Sequence, residues 1–256
     1  MKIKILGAHH NETVRSKCTS FLVDDRVAID AGSLTYALEM EEQLKIKALL
    51  LSHQHYDHVR DAPSLAVAFF RTHTTLNIYA TKAVCDVVSS RLFDGSLYPK
   101  YTELPKDNPA VKFHALEPGV KTQIEGYEIL PLNVFHPLPT VGYQVTSGEG
   151  KTFFYTGDTG PGLETVWEKI DPKLLLIDVT YNNRQEERAK TAGHLTPNLL
   201  KQELLNFRQT KGYLPEIILI HLSPENEKEI ALEIKEVAKI LDCHITIGHE
   251  EMELSF

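Results

Sequence analysis

Apolar residues along this chain fall into short runs, some continuous and some alternating with polar positions. Between them lie stretches with apolar residues three and four apart. The runs predict strands at 2–6, 19–23, 27–30, 48–51, 76–80, 111–115, 127–134, 142–146, 152–156, 174–179, 217–222 and 244–247. The three-and-four spacing predicts helices over 34–44, 63–70, 82–92, 163–169, 197–209 and 226–241. Three of these helices carry start signals, at Thr196-Pro197, Ser223-Pro224-Glu225 and Gly160-Pro161. Strand-rich stretches form two blocks, 2–51 and 111–156, each followed by helix–strand alternation. That order predicts an α+β chain folded as a four-layer αββα sandwich, two sheets face to face with helices outside. No linker, short repeat or low-complexity segment interrupts it, so residues 1–256 read as a single domain. Segment 94–108 lacks periodicity and reads as a surface loop, a candidate border of an active site.

Composition narrows the classes. The 256 residues are 42% apolar and 24% charged, as in an average globular protein. No stretch has the length and apolarity of a membrane span, and Met1–Leu6 lacks a signal-peptide core. Cys18, Cys85 and Cys243 are scattered and show no C-x-x-C spacing, which supports neither a cysteine zinc knuckle nor a disulfide framework. A cytoplasmic protein with no membrane partner is expected. Net charge is −8 with no basic run, which argues against a large nucleic-acid footprint.

Chemistry concentrates in Ser52-His53-Gln54-His55-Tyr56-Asp57-His58, an H-x-H-x-D-H pattern directly after the apolar run 48–51. A strand ending in imidazoles and a carboxylate builds a rigid, partly open site for zinc or a first-row neighbour. The bland alternative is a histidine-rich surface loop. Four further strand-end segments weigh against it: Asn133–Pro137 with His136, Tyr155–Gly160 with Asp158, Ala192–Thr196 with His194, and Ile220–Pro224 with His221. Taken singly, His136 reads as a turn histidine, Asp158 as a helix N-cap and His221 as a strand-end histidine. Taken together and in order, they read as a ligand set.

With these segments in place, the chain resembles the metallo-β-lactamase superfamily over nearly its whole length. The resemblance implies an αββα fold with a two-metal site between the sheets. It implies one metal on His53, His55 and His136, a second on Asp57, His58 and His221, and Asp158 bridging. It implies that Asp30 is a buried structural carboxylate ordering the ligand loop. Five neutral histidines and two aspartates place about −2 against +4 from two divalent ions, Zn²⁺ or else Mn²⁺ or Fe. The surplus favours a metal-bridging hydroxide and an anionic transition state, with Asp57 among the catalytic residues.

Local sequence narrows the branch. His55 stands where the redox branch carries glutamate, which favours hydrolases. Gly193-His194-Leu195-Thr196 lies between Asp158 and His221, as in the phosphodiesterase and RNase Z-like branch. The resemblance then makes His194 the acid that protonates the leaving oxygen, with Asp178 its supporting carboxylate. The motif departs from the family at Ile177 and Asp178, which replace a histidine and a glutamate. The stretch 142–156 is a plain hairpin without a tRNA-gripping arm, so tRNA is not an expected partner. The expectation is a dinuclear phosphodiesterase acting on a small anionic phosphodiester, for example a cyclic nucleotide, with a homodimer compatible. The alternatives are a lactone or thioester hydrolase and a redox metal sensor. His9 and His10 sit in a first loop that could edge the site. Residues 181–184 could reach a phosphate, though a plain polar loop is the simpler reading. His73, His114, His244 and His249 have no partners in the pattern.

Overall fold

The computed structural model describes all 256 residues, Met1–Phe256. Fourteen strands form two seven-stranded sheets. The first sheet contains β1 (Lys2–Gly7), β2 (Ser20–Val23), β3 (Val27–Ile29), β4 (Ala48–Leu50), β5 (Leu76–Thr81) and β6 (Val111–Leu116). The second contains β7 (Thr122–Ile124), β8 (Tyr127–Asn133), β9 (Val141–Ser147), β10 (Thr152–Tyr155), β11 (Leu174–Asp178), β12 (Glu216–Ile220) and β13 (Ile245–Ile247). The last strand, β14 (Glu253–Ser255), returns to the first sheet and pairs with β1. The strand orders are β14-β1-β2-β3-β4-β5-β6 and β13-β12-β11-β10-β9-β8-β7.

Both sheets switch character midway. β14 to β3 pair antiparallel and β3 to β6 parallel. β7 to β10 pair antiparallel and β10 to β13 parallel. The central parallel strands β4, β11 and β12 are buried on both faces almost throughout, which is why they read as continuous apolar runs. In β11, Leu174 and Leu176 face the space between the sheets, while Leu175 and Ile177 face the outer helices. The core therefore comes in three slabs: one between the sheets and one under each helical layer. This is the expected four-layer sandwich. No helix is long and apolar enough to cross a membrane.

Several boundaries differ from the sequence reading, each for a local reason. The stretch 34–44 is two short helices, Leu34–Ala37 and Met40–Gln43. The break is stabilised where the Glu39 N–H donates to Glu42 Oε2 at 2.9 Å, a reciprocal cap that starts a second helix. Gly160-Pro161 does not open a helix; that helix is Glu164–Trp167. Its first turn is capped from a distance: buried Glu203 accepts from the Gly162 and Leu163 N–H groups at 2.8 and 3.3 Å. Ser223-Pro224-Glu225 is a turn, and the helix starts at Glu227. Thr196 does cap Pro197–Lys211, accepting from the Leu199 N–H at 3.4 Å. Strands β7 and β14 and helices Tyr56–Val59 and Glu186–Ala192 were not predicted. The two strands have three residues each, and Tyr56–Val59 has four, too few to show a period. Glu186–Ala192 is seven residues with a single buried side chain, so it lacks an apolar stripe.

Candidate metal centre

Every candidate site residue but His194 lies at or just beyond the end of a strand; His194 instead follows helix Glu186–Ala192, so the strand end expected before it is a helix end. Asp30 follows β3, the 52–58 loop follows β4, and His136 follows β8. Asp158 follows β10, Asp178 ends β11, and His221 follows β12. The carboxyl ends of parallel strands are where chain direction reverses and side chains from several strands converge. Asp30 and His221 hold φ of 56° and 59°, a left-handed backbone uncommon outside glycine. Strain of this kind collects where a side chain must be aimed.

The expected ligands come together as two clusters. In the first, His53 Nε2 and His136 Nε2 lie 3.0 and 3.2 Å from His55 Nδ1. The far side of His136 donates through Nδ1 to the Gly193 carbonyl at 3.1 Å, so its Nε2 is left as a bare lone pair. Gly193 is required here: at φ 75°, a Cβ would lie 2.5 Å from Pro137 Cδ and 2.9 Å from His136 Nδ1. In the second cluster, Asp57 Oδ2 lies 3.6 Å from His58 Nε2 and 3.3 Å from His221 Nε2. Asp158 spans the two. Its Oδ2 is 3.4 Å from His53 Nε2, and its Oδ1 is 3.1 and 3.3 Å from the Nε2 atoms of His58 and His221.

These atoms fit divalent cations. His58 Nε2 and Asp158 Oδ1 are buried, and neither has a hydrogen-bond partner. Leaving such atoms unsatisfied costs about 1–3 kcal/mol each, a cost a coordinated cation removes. Burial lowers the pKa of His53 and His55 and takes His136 down to about 4, which keeps their lone pairs available. His58 behaves oppositely. Burial lowers it, but the charges of Asp158, Asp57 and Asp30 outweigh burial and raise it well above the usual imidazole range. The imidazole and carboxylate set suits zinc, manganese or iron. Stripping with a chelator is expected to lower the melting temperature, and adding back metal to restore it. Metal at a hundred-fold above Kd stabilises by about 2.7 kcal/mol. Elemental analysis returning fewer than two ions per chain after reconstitution would remove the dinuclear assignment.

A layer of buried hydrogen bonds aims the ligands. Asp30 is fully buried. Its Oδ1 accepts from the Ser52 N–H at 2.7 Å, and its Oδ2 from Ser52 Oγ, His58 Nδ1 and Tyr155 Oη at 2.8, 2.8 and 2.6 Å. An acceptor at His58 Nδ1 fixes the proton there and turns Nε2 toward the site. This is the ordering role the sequence expected of Asp30.

Asp178 and His194 also meet. His194 Nδ1 lies 2.6 Å from Asp178 Oδ2, which also accepts from the Thr159 N–H at 3.1 Å. Burial lowers the His194 pKa, but the Asp178 charge and hydrogen bond outweigh it and set it at about 9. Asp158, Asp178, His194 and His221 are close enough to be read as a metal group by themselves. The commitment of His194 Nδ1 to Asp178 argues for a separate pair, with Nε2 left for the cleft. The shortened carboxylate at 178 still reaches, so the departure from glutamate does not break the pair.

Thr180 is a site residue that the sequence reading missed. Its Oγ1 donates to Asp178 Oδ1 at 2.8 Å and accepts from His221 Nδ1 at 2.8 Å. It therefore couples the Asp178–His194 pair to a candidate ligand. The readable signal was its position two residues beyond Asp178 at a strand end, where alternate residues share a side. His10, Glu12 and Arg60 line the cleft as well. The first-loop expectation holds for His10 and fails for His9, which is buried against Glu250 Oε1 at 2.8 Å. Segment 94–108 is indeed a loop, but none of its residues line this cleft. Asn182 bonds Asn226 at 3.1 Å and Arg184 pairs with Glu229, so both are tied to helix Glu227–Leu241. His73, His114, His244 and His249 lie outside both clusters.

A family model described as a β-lactamase superfamily domain matches residues 25–222. The chain belongs to the metallo-β-lactamase superfamily. A 3′,5′-cyclic-nucleotide phosphodiesterase of Aliivibrio fischeri is 26% identical over 250 residues, covering 78% of this chain and 74% of that relative. A ribonuclease Z of Methanococcus maripaludis is 22% identical and covers 83% of each chain. The crystal structure of unliganded yeast PDE1 matches with a TM-score of 0.88, covering 100% of this chain and 99% of that one. At 16% identity that last likeness shows the shared fold. Members of this superfamily are mainly metal-dependent hydrolases, and the His and Asp clusters here could hold a dinuclear site.

Proposed function

We propose that this protein is a dinuclear metal-dependent phosphodiesterase acting on a small phosphodiester, in a reducing compartment such as the cytoplasm. The observation that carries the reading is the 2.6 Å contact of Asp178 with His194, beside the ligand clusters yet separate from them. His53, His55 and His136 would hold one ion, Asp57, His58 and His221 the other, and Asp158 would bridge. Ions bound there supply Lewis acidity and an activated water. The protein's own groups do the rest. Asp178 holds His194 by Nδ1, and His194 Nε2 presents a proton to the leaving oxygen. An alkoxide is a poor leaving group until it is protonated, so a phosphodiester is the substrate that most needs this pair. A thioester, whose thiolate departs readily without a proton, needs it less.

Size and charge favour a small substrate. The cleft is about 430 Å³, in the range of small-molecule sites. Strands β9 and β10 form a plain hairpin with no long insertion, and the net charge is −8. Neither suits a tRNA footprint. All three cysteines are free. The metal-loaded protein is expected to hydrolyse bis(p-nitrophenyl) phosphate. No release of nitrophenolate with zinc, manganese or iron would sink the reading. Turnover of p-nitrophenyl esters or lactones in its place would transfer the site to carbonyl chemistry.

A further inference from the structure

We propose that Glu12, Arg60 and Tyr56 form a base-recognition subsite beside the metal centre, one that takes a purine and favours guanine over adenine. The inference builds on the phosphodiester reading and names the group attached to the phosphate.

Arg60 is the single Lys or Arg on the cleft wall. It directly follows helix Tyr56–Val59, its N–H donating to the Tyr56 carbonyl at 2.9 Å. Its Nη1 pairs with Glu12 Oε2, its Nε lies 3.7 Å from Asp61 Oδ1, and its Nη2 makes no hydrogen bond within the protein. The other Glu12 oxygen lies 3.2 Å from Lys17 Nζ. Two cations and two carboxylates therefore cancel. A subsite for a second phosphate would present unmatched positive charge, and this one does not. What it presents is a row of donors on a guanidinium beside a row of acceptors on a carboxylate. Both side chains are about one-third exposed, at 31% and 33%, so a ligand can reach them.

The ligand that matches is neutral, planar and edged with acceptors next to donors. Guanine offers O6 and N7 to a guanidinium, and its N1–H and N2–H₂ to a carboxylate. Adenine offers one acceptor and one donor along the same edge, so it satisfies half as much. Planarity is met by Tyr56. It stands between candidate ligands His55 and Asp57, lines the cleft and is 68% exposed. An aromatic ring left in solvent at the mouth of a polar cleft offers a stacking face to any base. Stacking then supplies the general affinity, and the Glu12–Arg60 edge supplies the choice.

Calorimetric titration of the protein with its copurified metals tests this, using guanosine 5′-monophosphate, adenosine 5′-monophosphate and ribose 5-phosphate. All three carry the same phosphate, so differences report the base. The guanine nucleotide is expected to bind about ten-fold or more tighter than ribose 5-phosphate, with the adenine nucleotide between. Tyr56→Ala should weaken both purines while leaving guanine ahead of adenine. Glu12→Gln, which turns an acceptor into a donor, and Arg60→Met should each erase the guanine preference, with melting curves verifying the fold. Equal affinity for the three ligands, including absence of binding, overturns the subsite, as does a guanine preference that survives both edge variants. Hydrolysis of bis(p-nitrophenyl) phosphate by the unmodified protein reports on the phosphodiesterase reading separately.

Discussion

His194→Ala is expected to lower phosphodiester turnover by about 10²- to 10⁴-fold, the range spanned by loss of a positioned general acid. Both metal ions should remain, because His194 Nδ1 is committed to Asp178 and not to either cluster. The loss should also depend on the leaving group. Nitrophenolate departs readily without a proton, whereas an alkoxide does not. The variant should therefore lose far more on an alkyl phosphodiester than on bis(p-nitrophenyl) phosphate. A purely structural histidine would depress both substrates alike. Asp178→Asn should show the same leaving-group dependence in milder form, since the ring would keep a neighbour but lose the charge that favours its protonated state. An equal loss on the two substrates, or a departure of one metal per chain, would take the acid role away from His194.

The sandwich and the strand-end positions of most candidate ligands were legible for one physical reason. Parallel strands such as β4, β11 and β12 are apolar on both faces, so each reads as an uninterrupted run, and the chemistry sits at the first polar residues after it. His53, Asp158 and His221 could therefore be placed without coordinates. What the chain concealed was coupling between distant positions. Nothing local announces that Tyr155 would donate to Asp30 or that Glu203 would cap a helix some forty residues earlier. Ser223-Pro224 forms a turn, and its helix begins only at Glu227. The helix start at Gly160-Pro161 was misplaced because its sequence signal is local, while Glu203 supplies the cap from a distant helix. The same holds for the Glu12–Arg60 pair, whose members lie 48 residues apart and meet only because the first loop folds over helix Tyr56–Val59.

Asp30→Asn separates the ordering of the ligand loop from its stability. Asparagine tolerates the left-handed backbone at φ 56°, so the change acts through hydrogen bonding. The retained carbonyl can still accept from the Ser52 N–H. The new amide N–H₂ faces three groups that now donate to Oδ2: Ser52 Oγ, Tyr155 Oη and His58 Nδ1. The two hydroxyls can rotate and accept instead. His58 can adapt only by moving its proton to Nε2, the atom that points into the candidate metal site. The variant should therefore lose metal affinity by about 10- to 100-fold, the usual effect of removing a ligand's hydrogen-bonded partner. Asp30→Ala should behave differently. It strands buried donors, three of which (the Ser52 N–H, His58 Nδ1 and Tyr155 Oη) make no other hydrogen bond, at about 1–3 kcal/mol each. Denaturation of the metal-free proteins would then show a large stability loss for Asp30→Ala and a smaller one for Asp30→Asn, while metal titration would show a clear defect in both. Unchanged metal affinity in Asp30→Asn would mean that the His58 tautomer is fixed by something other than Asp30, and the link from this buried carboxylate to the metal centre would be lost.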